Sequence, residues 1–241
     1  MSNSIVIIPT FNEIENIEAI IRAVLSLSKD FHVLIVDDNS PDKTSEKVLE
    51  IQKEFSEKLF IEVRKKKSGL GTAYVHGFRW ALAKNYDFIF EMDADFSHNP
   101  NDLEKLYDAC HFGGADLAIG SRYKTGVNVV NWPLNRVLMS YFASKYVKMI
   151  TGMKIHDATA GFICYKRETL EIINLDKIKF IGYAFQIEMK YRTFAKGMKI
   201  IEVPIIFTDR TKGQSKMSSA IFKEAILGVI FLRIKKFFNK L

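Results

Sequence analysis

The chain has 241 residues, 48% hydrophobic and 26% charged, with a formal charge of +7. Those proportions exclude a disordered or fibrous chain and allow one sizeable core or two small ones. Only two cysteines, Cys110 and Cys164, are present, with no metal-ligand spacing, which excludes a disulfide framework and fits a reducing compartment. The positive charge points to an anionic partner, whether nucleic acid, a lipid head group or a phosphorylated small molecule.

The opening "MSNSIVIIPTF" enters a strand-like run at once, with no basic leader before a long apolar segment, so no secretory signal is expected. Short runs rich in Ile, Val and Phe follow at Ile5 to Ile8, Val33 to Val36, Phe60 to Val63, Phe88 to Met92 and Leu117 to Ile119. Helix-period segments lie between them: Glu15 to Leu27, Thr44 to Phe55, Thr72 to Ala83 and Leu103 to His111. Strand and helix in alternation predict an α/β fold with a mostly parallel sheet flanked by helices. After Tyr123 the alternation breaks, and the pattern predicts a helix over Leu134 to Ile150, a strand over Phe162 to Tyr165, a helix over Phe185 to Ala195 and a strand over Ile200 to Phe207. No linker or repeat divides the chain, so residues 1–219 read as one domain and 220–241 as a terminal amphipathic helix.

Ligands of such sheets bind beyond the carboxyl ends of the strands. Those ends are "PTFNE", "DDNSPD", "KKKSGLGTA", "DADFSH" and "GSRY", all polar, charged or glycine-rich. Asp93 and Asp95 stand two apart after a hydrophobic run. On extended backbone both carboxylates project to one side, a pattern that holds Mg²⁺ or Mn²⁺ together with substrate phosphates. Turn capping by aspartate is the plainer alternative. Asp37 and Asp38 end the second strand, where acids accept hydrogen bonds from a ribose or a base, or else cap the next helix. No glycine follows the first strand, so the redox dinucleotide fingerprint is absent.

Cations gather later: Arg122 at a strand end, Arg136 on the following helix, then Arg210, Lys212 and Lys216 in "DRTKGQSKMS". Arg136 and Ser140, four apart, share a helix face that could grip one phosphate. The tail "IFKEAILGVIFLRIKKFFNKL" joins apolar residues to Arg233, Lys235, Lys236 and Lys240. It suits a helix in a membrane interface or, alternatively, one packed on the domain. Its apolar run, Ala225 to Leu232, is far short of the roughly 20 residues a membrane span needs.

In order, "IIPTFNE", "VDDNSPDKT", "SGLGTAYVHGF", "EMDADFSHNP", "IGSRY", "DATAGFICYKRE", "GYAFQIEM" and "EVPIIFTDRTKGQSKM" resemble family 2 glycosyltransferases of the GT-A, Rossmann-like type. The resemblance is closest to the dolichyl-phosphate mannose synthase and polyprenyl-phosphate glycosyltransferase branch, and it runs from Ile5 to about Ser219. It implies a nucleotide-sugar donor, GDP-mannose in most members, at Pro9, Phe11, Glu13, Val36 and Asp38. It further implies a metal on Asp93 and Asp95 with Ala94 between them, an acceptor phosphate on Arg122, Arg136 and Ser140, and sugar and diphosphate contacts from Gln186, Arg210 and Lys216. Phe11 stands where tyrosine is common, and Ser97 where some members carry a glutamine at the metal.

The expected chemistry is inverting transfer of a sugar to a polyprenyl phosphate by an enzyme peripheral to the cytoplasmic face of a membrane. A phosphate acceptor is already anionic and needs positioning rather than a strong base. Two readings compete: the same fold using another nucleotide sugar of the UDP-glucose type or a polysaccharide acceptor, and a nonenzymatic nucleic-acid binder. The second leaves acids at successive strand ends unexplained, since they would repel phosphate, and no nucleic-acid partner is expected.

Overall fold

The computed structural model describes residues 3–182, 184–209 and 228–236. Parallel strands β1 (Ser4–Thr10), β2 (Phe31–Asp37), β3 (Leu59–Val63) and β4 (Phe88–Glu91) alternate with helices α1 (Ile17–Leu25), α2 (Thr44–Gln52) and α3 (Leu70–Ala83). Then follow α4 (Asp102–His111), β5 (Leu117–Ser121), a short β6 (Val129–Val130), the long α5 (Leu134–Thr151) and β7 (Ile163–Lys166). The remaining elements are α6 (Arg167–Ile172), a 3-10 turn Leu175–Lys177, α7 (Ala184–Ala195), β8 (Ile200–Pro204) and β9 (Phe207–Thr208), with residues 228–236 helical.

Seven strands form one sheet in the order β3-β2-β1-β4-β7-β5-β8, while β6 and β9 pair separately. Only β7 runs antiparallel to its neighbours, β4 and β5. Side chains alternate across a strand, and both faces of this sheet are covered, which is why its strands read as continuous apolar runs. Ile5 and Ile7 of β1 face a core shared with α3, α7 and Val147 of α5; Val6 and Ile8 face the opposite core, built on α1, α2 and α4. The backbones of α3 and β1 approach closely at Gly77, where a β-carbon would come within 2.6 Å of Ile7.

Three expectations change. The fourth strand stops at Glu91, so Asp93 and Asp95 lie beyond it, where the chain bends through residues 94–98 and Phe96 takes a positive φ of 59°. The run Ile200 to Phe207 is not one strand: after Pro204 the chain leaves the sheet, and Phe207–Thr208 pairs instead with Val129–Val130. Helix α6 gave no separate signal, because its six residues are too few to show a period. Among the described residues no helix is long and apolar enough to cross a membrane.

Candidate active site

Strand order alone assembles the site. With β1 between β2 and β4, and β5 parallel two places further on, the segments after Thr10, Asp37, Glu91 and Ser121 emerge at one edge of the sheet. The antiparallel β7 begins at that same edge, so the "DATAG" loop before it joins them.

The first two loops are laced together. Asp37 accepts hydrogen bonds from Thr10 Oγ1 at 2.8 Å and from Ser40 N and Oγ at 2.8 and 2.6 Å. It is the turn-capping member of its pair. The amides of Asn12 and Glu13 donate to Ser40 Oγ and Thr44 Oγ1. Asp38 takes Arg64 Nε on Oδ1 at 2.5 Å, while Arg64 Nη1 donates to Thr72 Oγ1 and its Nη2 is buried with no hydrogen-bond partner among the described residues. Lys67 Nζ lies 4.4 Å from the Phe11 ring centroid, and Val36 is fully buried beneath. Pro9 and Phe11 remain half-buried, open to a flat ring. Sequence reasoning missed Arg64, whose signal was its place first in the basic run after β3.

Beside them, Asp95 is buried and Asp93 half-buried, with buried Ala94 between. Asp95 Oδ1 accepts from Ser97 N at 3.1 Å, and Tyr74 OH lies 3.5 Å from Asp93 Oδ1. Burial lowers His98 to about 4, so its ring is neutral and its Nδ1 can accept from Asp93 N at 3.5 Å. Among the described residues no three His, Cys, Asp or Glu side chains converge as a complete ligand set. Two carboxylates nevertheless suit a hard cation that takes its other ligands from water and substrate phosphates. Ser97 Oγ, buried beside them with no hydrogen-bond partner among the described residues, is a polar atom that such an occupied site would satisfy.

Beneath the acids lies a buried polar layer. Glu91 accepts from Tyr165 OH at 2.8 Å and, through a short contact, from Gln186 Nε2, which leaves Gln186 Oε1 buried and unpartnered. Burial pushes Glu91 up to about 7, against hydrogen bonding from Gln186 and the charge of Lys190.

Arg122 and Arg136, predicted from opposite ends of a loop, come together on one side chain. Their guanidinium carbons lie 5.4 and 4.1 Å from the ring centroid of Trp132. Arg122 Nε and Nη2 are bound to Asp157, at 2.7 and 2.6 Å, and Nη2 also reaches Thr159. Arg136 Nη1 donates to Asp209 at 2.8 Å. Burial raises Asp157, but the charge of Arg122 and its hydrogen bonds outweigh this and hold the carboxyl below its ordinary range. Ser140 sits one turn beyond Arg136, beside Tyr123. The short sheet joins this cluster to the acids, since Thr208 N donates to Ser97 O. Arg210 and Lys216 lie outside the described residues.

The glycosyl transferase family 2 profile matches residues 5–173. A polyprenol monophosphomannose synthase of Mycolicibacterium smegmatis is 44% identical over 226 residues, spanning 94% of this chain and 85% of that protein. An undecaprenyl-phosphate mannosyltransferase of Micrococcus luteus is 42% identical over 223 residues, spanning 92% and 90%. Glucosyl-3-phosphoglycerate synthase of Mycobacterium tuberculosis, crystallised with Mn²⁺, UDP and glucosyl-3-phosphoglycerate, superposes with a TM-score of 0.67 at 18% identity, over 97% of this chain and 79% of that one. The mannosyltransferase PcManGT of Pyrobaculum calidifontis, in complex with GDP-Man and Mn²⁺, gives 0.57 at 15% identity, over 99% and 72%. The sheet order, the acids at one strand end and these matches lead to one assignment: the chain belongs to the family 2 glycosyltransferases and has their GT-A fold.

Proposed function

We propose that this enzyme transfers mannose from GDP-mannose, with inversion, to the phosphate of a polyprenyl lipid at the cytoplasmic face of a membrane. The observation that carries the acceptor half of this reading is the convergence of Arg122 and Arg136 on Trp132, one loop away from the Asp93 and Asp95 bend. The relatives' names supply mannose and the polyprenyl phosphate as the substrate classes to test.

In this reading the guanine stacks on Phe11 against Pro9, and the Asp38 carboxylate, steadied by Arg64, accepts from the base edge. Val36 walls the pocket, and Glu13, with its amide tied to Thr44 Oγ1, closes it. Asp93 and Asp95 would hold Mg²⁺ or Mn²⁺, and such an ion would supply positive charge against the leaving diphosphate. Arg210 and Lys216 add cationic charge on the same leaving group. Gln186, its amide oriented by Glu91, presents Oε1 to a sugar hydroxyl. Arg122, Arg136 and Ser140 hold the lipid phosphate with an oxygen in line behind the anomeric carbon. No residue need remove a proton, because the nucleophile is already an anion.

The lipid lies at a surface, and α5 suits approach to it. Leu134, Leu138, Met139, Phe142 and Met149 are exposed on the helix that carries Arg136 and Ser140. Residues 228–236 add exposed Ile230, Phe231 and Ile234 near Arg233 and Lys235, while Lys240 lies outside the described residues. The deciding experiment incubates the protein and Mn²⁺ with radiolabelled GDP-mannose or UDP-glucose and a short polyprenyl phosphate, then extracts the lipid. Label in the lipid phase from GDP-mannose alone supports the proposal. Transfer from UDP-glucose alone, or only to a polysaccharide, overturns it.

A further inference from the structure

A second carboxylate lies behind Asp157. Glu202, on β8, is buried across the sheet from Ile119 of β5. Its Oε1 accepts three hydrogen bonds: from Ser121 Oγ at 2.9 Å, from the backbone amide of His156 at 2.8 Å and from that of Asp157 at 2.9 Å. Its Oε2 lies 2.7 Å from His156 Nδ1. One side chain thus pins the last residue of β5 and the first turn of the "DATAG" loop. Asp157, fixed by its own backbone, grips Arg122 at three points, since Oδ2 takes both the Arg122 amide, at 3.0 Å, and Nε, while Oδ1 takes Nη2. The far end of the loop is held by the buried Lys190, whose Nζ donates to Ala160 O at 2.6 Å and Gln186 O at 3.1 Å.

Stability is a weak reason for such a construction. Desolvating two carboxylates and a guanidinium costs about as much as their attraction returns, and apolar packing of the same volume would serve a core at least as well. What the arrangement does provide is a fixed plane for one guanidinium. The bonds to Asp157 engage Nε and Nη2, and the rings of Tyr123, Trp132 and Phe207 lie within 5.3 to 5.6 Å of its central carbon. A guanidinium so held offers its remaining edge in one orientation, and an oriented donor loses less entropy when it meets a phosphate.

We propose that Glu202 and Asp157 are positioning residues for acceptor binding, with Glu202 setting the loop backbone and Asp157 setting the guanidinium of Arg122. This inference rests on the reading of Arg122 as an acceptor-phosphate ligand. Neither carboxylate touches the donor in this scheme, so their effect is confined to the acceptor.

The test uses the full chain with Mn²⁺, GDP-mannose and a short-chain polyprenyl phosphate, and compares Asp157→Asn, Glu202→Ala and Glu202→Gln with Arg122→Lys. Calorimetry gives the donor Kd, initial rates give the acceptor KM, and thermal melts report folding. Asp157→Asn and Glu202→Ala should each raise the acceptor KM at least tenfold while the donor Kd stays within twofold. Glu202→Gln keeps a carbonyl oxygen for the three donors and should return the acceptor KM to within about threefold of wild type. Combining Asp157→Asn with Arg122→Lys should raise KM no further than Arg122→Lys alone, because one acts through the other. Should Glu202→Ala fail to fold, Asp157→Asn and the double variant still decide. An unchanged acceptor KM in folded Asp157→Asn, or equal losses of donor and acceptor affinity, overturns the inference. If Arg122→Lys itself leaves acceptor kinetics untouched, the acceptor assignment falls with it; if that variant is impaired and Asp157→Asn is not, only the positioning role falls.

Discussion

Arg122 and Arg136 share one aromatic ring, the indole of Trp132, at 5.4 and 4.1 Å from its centroid. Each is also bound to its own carboxylate, Asp157 or Asp209. Two like charges on one ring repel unless anions are close, and a phosphate brought between them relieves that repulsion further. Among the described residues Trp132 Nε1 is buried with no hydrogen-bond partner, so the indole can donate to the same anion.

Trp132→Ala is therefore expected to weaken acceptor use by about tenfold, as the loss of about 1–2 kcal/mol of cation–π and hydrogen-bond energy implies, with donor affinity unchanged. The chain has two tryptophans. A Trp80→Phe background leaves Trp132 as the sole indole, and its fluorescence should shift on titration with polyprenyl phosphate but not with GDP-mannose. A response to the donor alone would contradict the placement.

The acids offer a second check. Asp93→Asn and Asp95→Asn should each lower transfer by about 100-fold or more while the melting temperature holds, since neither side chain sits in the apolar cores. GDP-mannose titrated with and without Mn²⁺ gives a readout independent of turnover: wild type should bind tighter with the ion, and neither variant should. Ser97→Ala, which deletes the buried hydroxyl, should raise the Mn²⁺ concentration for half-maximal binding several-fold. Metal-independent donor binding by the wild type would remove the metal from this scheme.

On the nucleotide side, Arg64→Ala strands the Asp38 carboxylate, which is 7% exposed and loses its ion-pair partner. Removing one partner of a nearly buried pair costs about 3 kcal/mol of stability. The same substitution should weaken GDP-mannose binding at least tenfold and leave the acceptor KM alone. Donor binding equal to wild type in a folded Arg64→Ala protein would separate Arg64 from the base site.

Lys190 gives a pH dependence with a definite sign. Burial lowers it to about 8, against the opposing pull of Glu91. A depressed pKa in the folded state means the unfolded chain holds that proton more tightly. Stability from this site is therefore full above the ordinary lysine range and is lost as pH falls towards 8, with a slope of at most about 1.4 kcal/mol per pH unit. Between pH 8 and 9.5 the stability of wild type minus that of Lys190→Met should rise with pH, and Glu91, which in the variant loses the opposing charge of Lys190 and holds its proton to higher pH, adds to the difference with the same sign. A difference that stays flat would mean Lys190 titrates as an exposed lysine does.

Strands β1, β2, β4 and β5 were legible because each is an apolar run covered on both faces, and the strand-end rule directed attention to the edge where their loops gather. The extended-chain argument for Asp93 and Asp95 does not hold as made, since both lie after the strand ends at Glu91, where residues 94–98 bend. Asp37 and Asp38 look alike in sequence, yet Asp37 is spent on Thr10 and Ser40 while Asp38 meets Arg64. Only the pleat and the turn distinguish them. Asp157 and Glu202 were illegible because their partners stand far off in the chain, as with Asp157 and Arg122, 35 positions apart, and Glu202 and Ser121, 81 positions apart. No periodicity reports such a contact.

The terminal segment divides by residue. Within 228–236, Val229 and Leu232 are buried in the core with α3 and α7, and a β-carbon on Gly228 would come within 2.6 Å of the Phe180 ring. Lys236 lies over Tyr191 and Phe194 of α7. Ile230, Phe231 and Ile234, by contrast, are exposed. One face thus packs on the domain, as one of the two readings of the sequence expects, and the exposed face is where the membrane reading can be tested. Val229→Ser and Leu232→Ser should each cost about 2–3 kcal/mol, lower the melting temperature and impair transfer to long and short acceptors alike. Ile230→Ser, Phe231→Ser and Ile234→Ser together should leave the melt unchanged, release the protein from anionic vesicles in flotation, and slow transfer to a long-chain acceptor only. Because α5 exposes Leu138 and Phe142 on the helix that carries Arg136 and Ser140, Leu138→Ser with Phe142→Ser should have the same signature. Vesicle binding that survives both sets of substitutions would rule out these faces as the membrane contact.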